Sequence, residues 1–382
     1  MFAALLVAAI ALSLGLTFRL RGFAGEQRPV ADQLDGLLSR AAAPAVVYSE
    51  FGEEADVFWA ADPDNPADRV ELATGRHAAG FGVTPALSPD GAHLAYAALP
   101  PDGDGLGLET AAELWMLDVA NGDAQRLATG IDLLVPPVWS PDGGSVVVRH
   151  GLWRDDGSAS FALLRVDLSG ATTTLVSAPA DLFPIDFSPD GAQLYYAALT
   201  PDGTALQRVA LAGGAPEMLY RLSDGIARDW QLSPDGTRLA YMAQAPADAQ
   251  DAFDLRVLDL DTGDVQAPAA DASPAFSPLW DGDGALTVGS VAAGGAPARY
   301  DVGDAGIALD APLLTARANR AGFDVPLSWS PDSNRLAARA FDDVTASDAG
   351  PSRVVVLGTN GSRRALSSKS DIVIAGWLGT FP

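Results

Sequence analysis

The chain has 382 residues, 48% of them apolar, so a large core is available and wholesale disorder is excluded. Lys and Arg number 24 against 49 Asp and Glu, a net charge of −25, which repels phosphate backbones and argues against nucleic acid as a partner. There is no cysteine and only three histidines, which removes disulfides, thiolate catalysis and histidine-rich metal centres.

Met1 to Phe18 carries no charged side chain, and Arg19 and Arg21 follow at once. At about 1.5 Å per residue, such a run just spans a bilayer core. Residues 1–20 are therefore expected to be a membrane anchor, with a cleaved signal segment as the alternative. The expected location is membrane-anchored and extracytoplasmic or periplasmic, although the arginines leave the cytoplasmic side open. Residues 21–44 read as a linker. Within it, Val30, Leu34, Leu37 and Leu38 have helical spacing, and Pro29 suits a first helical turn.

From residue 45 onward the chain repeats. Ser88-Pro89-Asp90-Gly91 recurs at Ser140, Ser188 and Ser233. Degenerate copies stand at Ser277-Pro278, followed by an Asp281-Gly282-Asp283-Gly284 turn, and at Ser330-Pro331-Asp332-Ser333. The steps are 52, 48, 45, 44 and 53 residues, a period that marks a propeller or another array. A bulky residue precedes each copy: Leu87, Trp139, Phe187, Leu232, Phe276 and Trp329. A β-rich run follows each, such as Leu94-Ala95-Tyr96 or Val146-Val147-Val148. Pro presets φ, Asp bonds the backbone ahead and Gly accepts positive φ, so each copy reads as a hairpin. A second hairpin signal comes later in the repeat, for example Asn121-Gly122, Ser169-Gly170 and Thr262-Gly263. Four antiparallel strands per repeat make one propeller blade.

Six copies of the turn do not exhaust the strands. Ala45–Glu50, Asp56–Ala61 and Arg69–Thr74 read as the second, third and fourth strands of another blade, and Asp371–Leu378 as its first. The fold expected for residues 45–382 is therefore an all-β, seven-bladed, monomeric propeller closed by both ends of the chain, with six blades as the alternative. Ring closure removes exposed sheet edges.

The Trp/Phe-Ser-Pro-Asp-Gly turn before a Leu-Ala-Tyr-like strand resembles the repeat of the TolB-type propeller family. The resemblance covers about residues 45–378 and implies the fold. Similar repeats accompany peptidase domains in the prolyl oligopeptidase group.

No nucleophile elbow, phosphate-binding loop, His-Glu-x-x-His or dinucleotide fingerprint is present. His93 reads as a solvent-facing residue at a turn, His150 as a strand end and His77 as a loop residue. Calcium is considered at Asp102-Gly103-Asp104-Gly105, at Asp259, Asp261 and Asp264, and at Asp281 and Asp283. None of these loops ends in the bidentate Glu of an EF-hand, so they read as hairpin turns. Counting back six to eight residues from each Ser-Pro places Asp132, Asp181, Asp271 and Asp324 where the innermost strands begin. Asp371 takes the matching place in the closing strand, and Arg228 and Asp229 hold it in the blade between Asp181 and Asp271. These residues are expected to ring one channel mouth and attract a cation or a basic peptide segment. The functional expectation is a membrane-tethered, non-catalytic propeller that binds a protein or peptide in the cell envelope, without a cofactor. The alternative is a propeller hydrolase or lyase with a calcium-assisted site at the mouth.

Overall fold

A computed structural model of the protein describes residues 29–103, 111–153, 159–244, 253–268, 275–290, 295–303, 306–312, 322–342 and 351–379. The expected anchor, residues 1–20, lies outside them. Among the described residues no helix is long and apolar enough to cross a membrane.

Strands β1 to β28, in chain order, form seven four-stranded antiparallel sheets. Six sheets use consecutive strands. Their innermost members are β4 (Thr84–Leu87), β8 (Val138–Trp139), β12 (Asp181–Phe187), β16 (Ala227–Leu232), β20 (Ala275–Trp280) and β24 (Phe323–Trp329). These sheets are blades one to six. The seventh blade has the order β28 (Ile372–Leu378), β1 (Ala45–Glu50), β2 (Ala55–Ala61), β3 (Arg69–Arg76). Its register runs from Ala45 opposite Leu378 to Glu50 opposite Ile372, so the C-terminal strand seals the N-terminal three. Each innermost strand packs on the next, which closes a ring around a central channel.

The turn chemistry explains why the repeat folds this way. In each intact copy the Ser hydroxyl donates to the Asp carboxylate, as in Ser88 to Asp90 at 2.6 Å and Ser233 to Asp235 at 2.6 Å. The same hydroxyl accepts the N–H that opens the second strand, His93 or Arg238. The carboxylate also takes the N–H two residues on. These bonds hold the Asp90 and Asp235 carboxyls below their ordinary range, the Ser hydroxyl contributing most. Ser333 fills the glycine position of its turn at φ 53°.

Blade five corrects the sequence register. Ser277-Pro278 lies inside β20 and makes no turn. Asp281 takes the serine's place: its N–H bonds Ala285 O, and its carboxylate accepts the N–H groups of Asp283 and Ala285. The bulky residue before the turn is thus Trp280, not Phe276. With Asp281 as the mark, the two uneven steps become 48 and 49 residues.

The tryptophans before the turns staple blades together. Trp139 Nε1 donates to Ala86 O, Trp280 Nε1 to Gln231 O and Trp377 Nε1 to Ser328 Oγ, each reaching the preceding blade's innermost strand. Helix α1 (Val30–Arg40) lies on β3 and buries Leu34 and Leu37 against Phe58, Val70 and Leu72 of the closing blade. Arg40 pairs with Asp68 beside it. Glu50 adds a polar clasp: its buried carboxylate accepts from Arg69, Ser367 and Lys369, joining both ends of the chain.

Candidate functional site: the channel and its mouth

The connections that lead into the innermost strands surround one mouth of the channel. Several of the residues expected here from the sequence are bound in pairs and not set out as a free ring of acids. Asp132 is buried, and its carboxylate binds Arg149 Nε at 2.6 Å and the Leu134 N–H at 2.7 Å. Arg149 belongs to β9 (Ser145–Trp153), the second strand of blade two. Its guanidinium lies between the Phe161 and Phe183 rings, 4.6 Å from each centroid. Asp181 Oδ1 lies 3.7 Å from Arg149 Nη1, so one arginine draws Asp132 and Asp181 together. Asp324 is buried and held by two bonds from Arg363, at 2.6 and 2.8 Å. Arg228 lies over the Phe253 ring at 4.2 Å, 3.7 Å from its neighbour Asp229. Asp371 is exposed; its backbone oxygen accepts the Phe51 N–H, and its carboxylate accepts from the neighbouring Ser370 hydroxyl at 3.2 Å. Asp271 lies outside the described residues.

Deeper in, the innermost strands share a defect. Their pairing slips between Pro184 and Asp186, between Arg228 and Gln231, between Phe276 and Leu279, and between Pro326 and Ser328. Such bulges re-aim side chains and recur at functional sites. A cavity of about 210 Å³ opens against the last three of these bulges, lined by Asp229, Gln231, Ser277, Pro278, Leu279, Pro326 and Leu327. Asp229 has φ 55° and Ser277 has φ 44°. Non-glycine residues pay about 1–3 kcal/mol for such backbone and keep it where the surroundings over-determine it, commonly at functional sites. Two strained residues from neighbouring blades thus meet at one cavity.

Asp186 stands on β12, one position before Phe187 and its turn. Gln231 has the same place on β16 and lines the cavity. Asp186 is open to water yet walled by protein, and that surround pushes its carboxyl up to about 6, against the pull of the Phe187 N–H bond at 2.7 Å. It is a titratable group poised near neutrality inside a channel.

The sign of this shift yields a stability prediction. A folded-state value near 6 against an ordinary one near 3.8 means that folding favours the protonated acid. Stability from this group is full below about pH 4, falls between about 4 and 6, and levels off above. Asp186→Asn should therefore melt with wild type at pH 4 and above it at pH 8. A variant no more stable than wild type at pH 8 contradicts this placement.

The other expected sites resolve differently. His77 lies in a loop, as the sequence implied, and is buried there, with Nε2 3.0 Å from Asp56 Oδ1 and Nδ1 2.9 Å from Ala78 O. His93 is half-buried and stacks on Trp139, not solvent-facing. His150 Nδ1 bonds Gly130 O. The Asp259 carboxylate caps its own turn through the N–H groups of Asp261 and Thr262. Asp281 binds Arg299 at 2.8 Å, and the same guanidinium lies 4.0 Å from Asp283. Asp104 lies outside the described residues, among which no group of three His, Asp or Glu is arranged to hold a metal.

Fold and site define a seven-bladed propeller with a polar central channel. No family model and no curated protein matches the chain. Solved structures do. A structure from work on two prolyl endopeptidases superposes with a TM-score of 0.57 at 14% identity, covering 96% of this chain and 55% of that one. An oligogalacturonate lyase in complex with manganese gives 0.52 at 16% identity, covering 84% of each chain. TolB from Acinetobacter baumannii gives 0.50 at 15% identity, covering 88% of this chain and 67% of that one. At these identities the likeness shows the fold alone. It nonetheless corrects the expectation of a non-catalytic scaffold. That expectation leaned on fold analogy, and the same architecture is found in peptidases and a lyase.

Sequence reasoning passed over Arg149, Asp186, Gln231 and the cavity role of Ser277. One signal for Asp186 was present. In the column before the bulky residue the intact turns carry Ala86, Val138, Asp186 and Gln231, and Asp186 is the single charge.

Proposed function

We propose that the chain is the propeller of a hydrolase or lyase whose chemistry takes place in the central channel, with Asp186 as the proton-transfer group and Asp229 and Ser277 holding the substrate. The observation that carries this reading is the meeting of strained Asp229 and Ser277 at one channel cavity, in the ring of strands that also bears Asp186. A carboxyl near 6 populates both protonation states around neutrality, so it gives or takes a proton at small cost. Backbone strain at Asp229 and Ser277 fixes their side chains before substrate arrives, as preorganised sites require. Propeller peptidases and a propeller lyase of the same shape support the reaction class. The Ser-Pro-Asp-Gly turns add a proposed place among TolB-type repeats.

The test is turnover by the purified full chain on blocked peptides, oligouronates and neutral oligosaccharides. Asp186→Asn should lower kcat/KM at neutral pH by about 10²- to 10⁴-fold, the usual worth of a positioned acid or base, without loss of melting temperature. An Asp186→Asn chain that works at the wild-type rate, or a wild-type chain inert on all three classes, contradicts the proposal.

A further inference from the structure

The outer rim of blade seven carries another cavity, of about 690 Å³, along β3. β3 is the last strand of its sheet, so one of its edges has no partner strand. Five consecutive residues, Asp68 to Leu72, line the cavity. Side chains alternate between the two faces of a strand, so it is the backbone edge that presents all five. Helix α1 forms the opposite wall from Val30 to Arg40, and Trp59 of β2 closes one side. The cavity is therefore a groove along an open edge. The rise from Val30 to Arg40, at about 1.5 Å per residue, gives it a length of about 15 Å, the reach of about five extended residues.

The edge has the pattern that a strand pairs with. The Asp62 N–H bonds Asp68 O, and antiparallel pairing alternates, so Val70 turns its backbone groups to Ala60 while Arg69 and Glu71 turn theirs out of the sheet. No group among the described residues bonds these outward N–H and C=O groups. An added strand satisfies them at two-residue spacing, a mode of peptide recognition in which the backbone gives affinity and the side chains give selectivity.

The charges of the groove set those side chains. Arg40 is held by both oxygens of Asp68, and Arg69 by Glu50 at 3.1 Å and the Trp59 ring at 3.9 Å. Both cations are thus matched. Asp32 and Glu71 are exposed on the groove and have no ion pair among the described residues. Two unmatched carboxylates, in a chain of net charge −25, favour Lys or Arg and repel Asp or Glu.

We propose that the β3 edge binds an extended, Lys- or Arg-bearing peptide segment of a partner protein as a further strand of blade seven. The inference does not depend on chemistry in the channel.

Fluorescence anisotropy with the full chain tests it, using a labelled, blocked Lys-Val-Lys-Val-Lys-Val-Lys peptide. The controls are its Glu-Val counterpart and the same basic peptide with every backbone nitrogen methylated, which keeps the charge and removes the donors. The basic peptide should bind about tenfold more tightly than the acidic one. Methylation should cost it at least about tenfold. Glu71→Pro removes an outward N–H and leaves the ladder to β2 whole, so it should melt like wild type and lose the peptide. Glu71→Gln, which keeps the N–H, should weaken binding about threefold. A methylated peptide that binds like its parent would mean unspecific attraction to an acidic chain and overturns the inference. So does the absence of binding at about 1 mM, tighter binding of the acidic peptide, or wild-type binding by both Glu71 variants. If the chain pairs with itself and Glu71→Pro abolishes that pairing alone, the edge belongs to a second copy and the inference fails.

Discussion

A chain ending at Ser370 should fail to fold as a stable monomer. The deletion removes β28, the innermost strand of the seventh blade, and leaves the whole edge of β1 unpaired from Ala45 to Glu50. Trp377, 5% exposed, leaves the core shared by blades six and seven, Leu378, 6% exposed, the core shared by blades seven and one, and the Trp377 bond to Ser328 is lost. Burying a tryptophan removes about 150–250 Å² from water, about 4–6 kcal/mol at 25 cal/mol per Å². That alone rivals the 5–15 kcal/mol by which domains are stable, and the open edge invites self-association. Sedimentation should show aggregates, and thermal melting should show no cooperative transition. Trp377→Ala, which keeps the strand, should fold with a loss of about 3–5 kcal/mol. A truncated chain that melts like the parent contradicts closure through β28.

Asp132→Ala should be the most damaging single change at the mouth. Arg149 has only 6% of its side chain exposed, and its near partner is Asp132 at 2.6 Å. Without that carboxylate a guanidinium stays buried between two phenylalanines, with Asp181 3.7 Å away and half in water. Breaking a buried pair from one side costs about 3–5 kcal/mol, because the surviving charge is uncompensated. The Leu134 N–H also loses its acceptor. Urea titration should show the loss, and Asp132→Ala with Arg149→Met should recover most of it, since neither charge then remains buried. A double variant no better than Asp132→Ala would mean that the cost lies in the Leu134 turn.

Blade number and closure were legible because they rest on local chemistry. Ser, Pro, Asp and Gly each act within five residues, so the turn survives in the sequence as a word. The same dependence on words misplaced blade five, where Ser277-Pro278 spells half the motif inside a strand while Asp281 does the capping. The channel was not legible in this way. Each bulge inserts one extra residue, at Ile185, at Leu327 and within Asp229-Trp230 opposite Tyr241, so strict alternation counted through it from the turn names the wrong face. Asp132 and Asp181 were found by such a count, but Arg149, which binds both, comes from the next strand of blade two and follows no periodic pattern. Strain at Asp229 and Ser277 is a property of backbone angles, and neither residue type announces it.

The pH dependence of kcat/KM bears most directly on the channel as the seat of chemistry. Measured for the wild-type chain on its best substrate, the profile should show a limb with its midpoint near 6, the value to which the channel wall raises Asp186. In Asp186→Asn that limb should vanish along with most of the rate. A profile flat through pH 6, or a limb near 6 that persists in Asp186→Asn, would place the chemistry elsewhere.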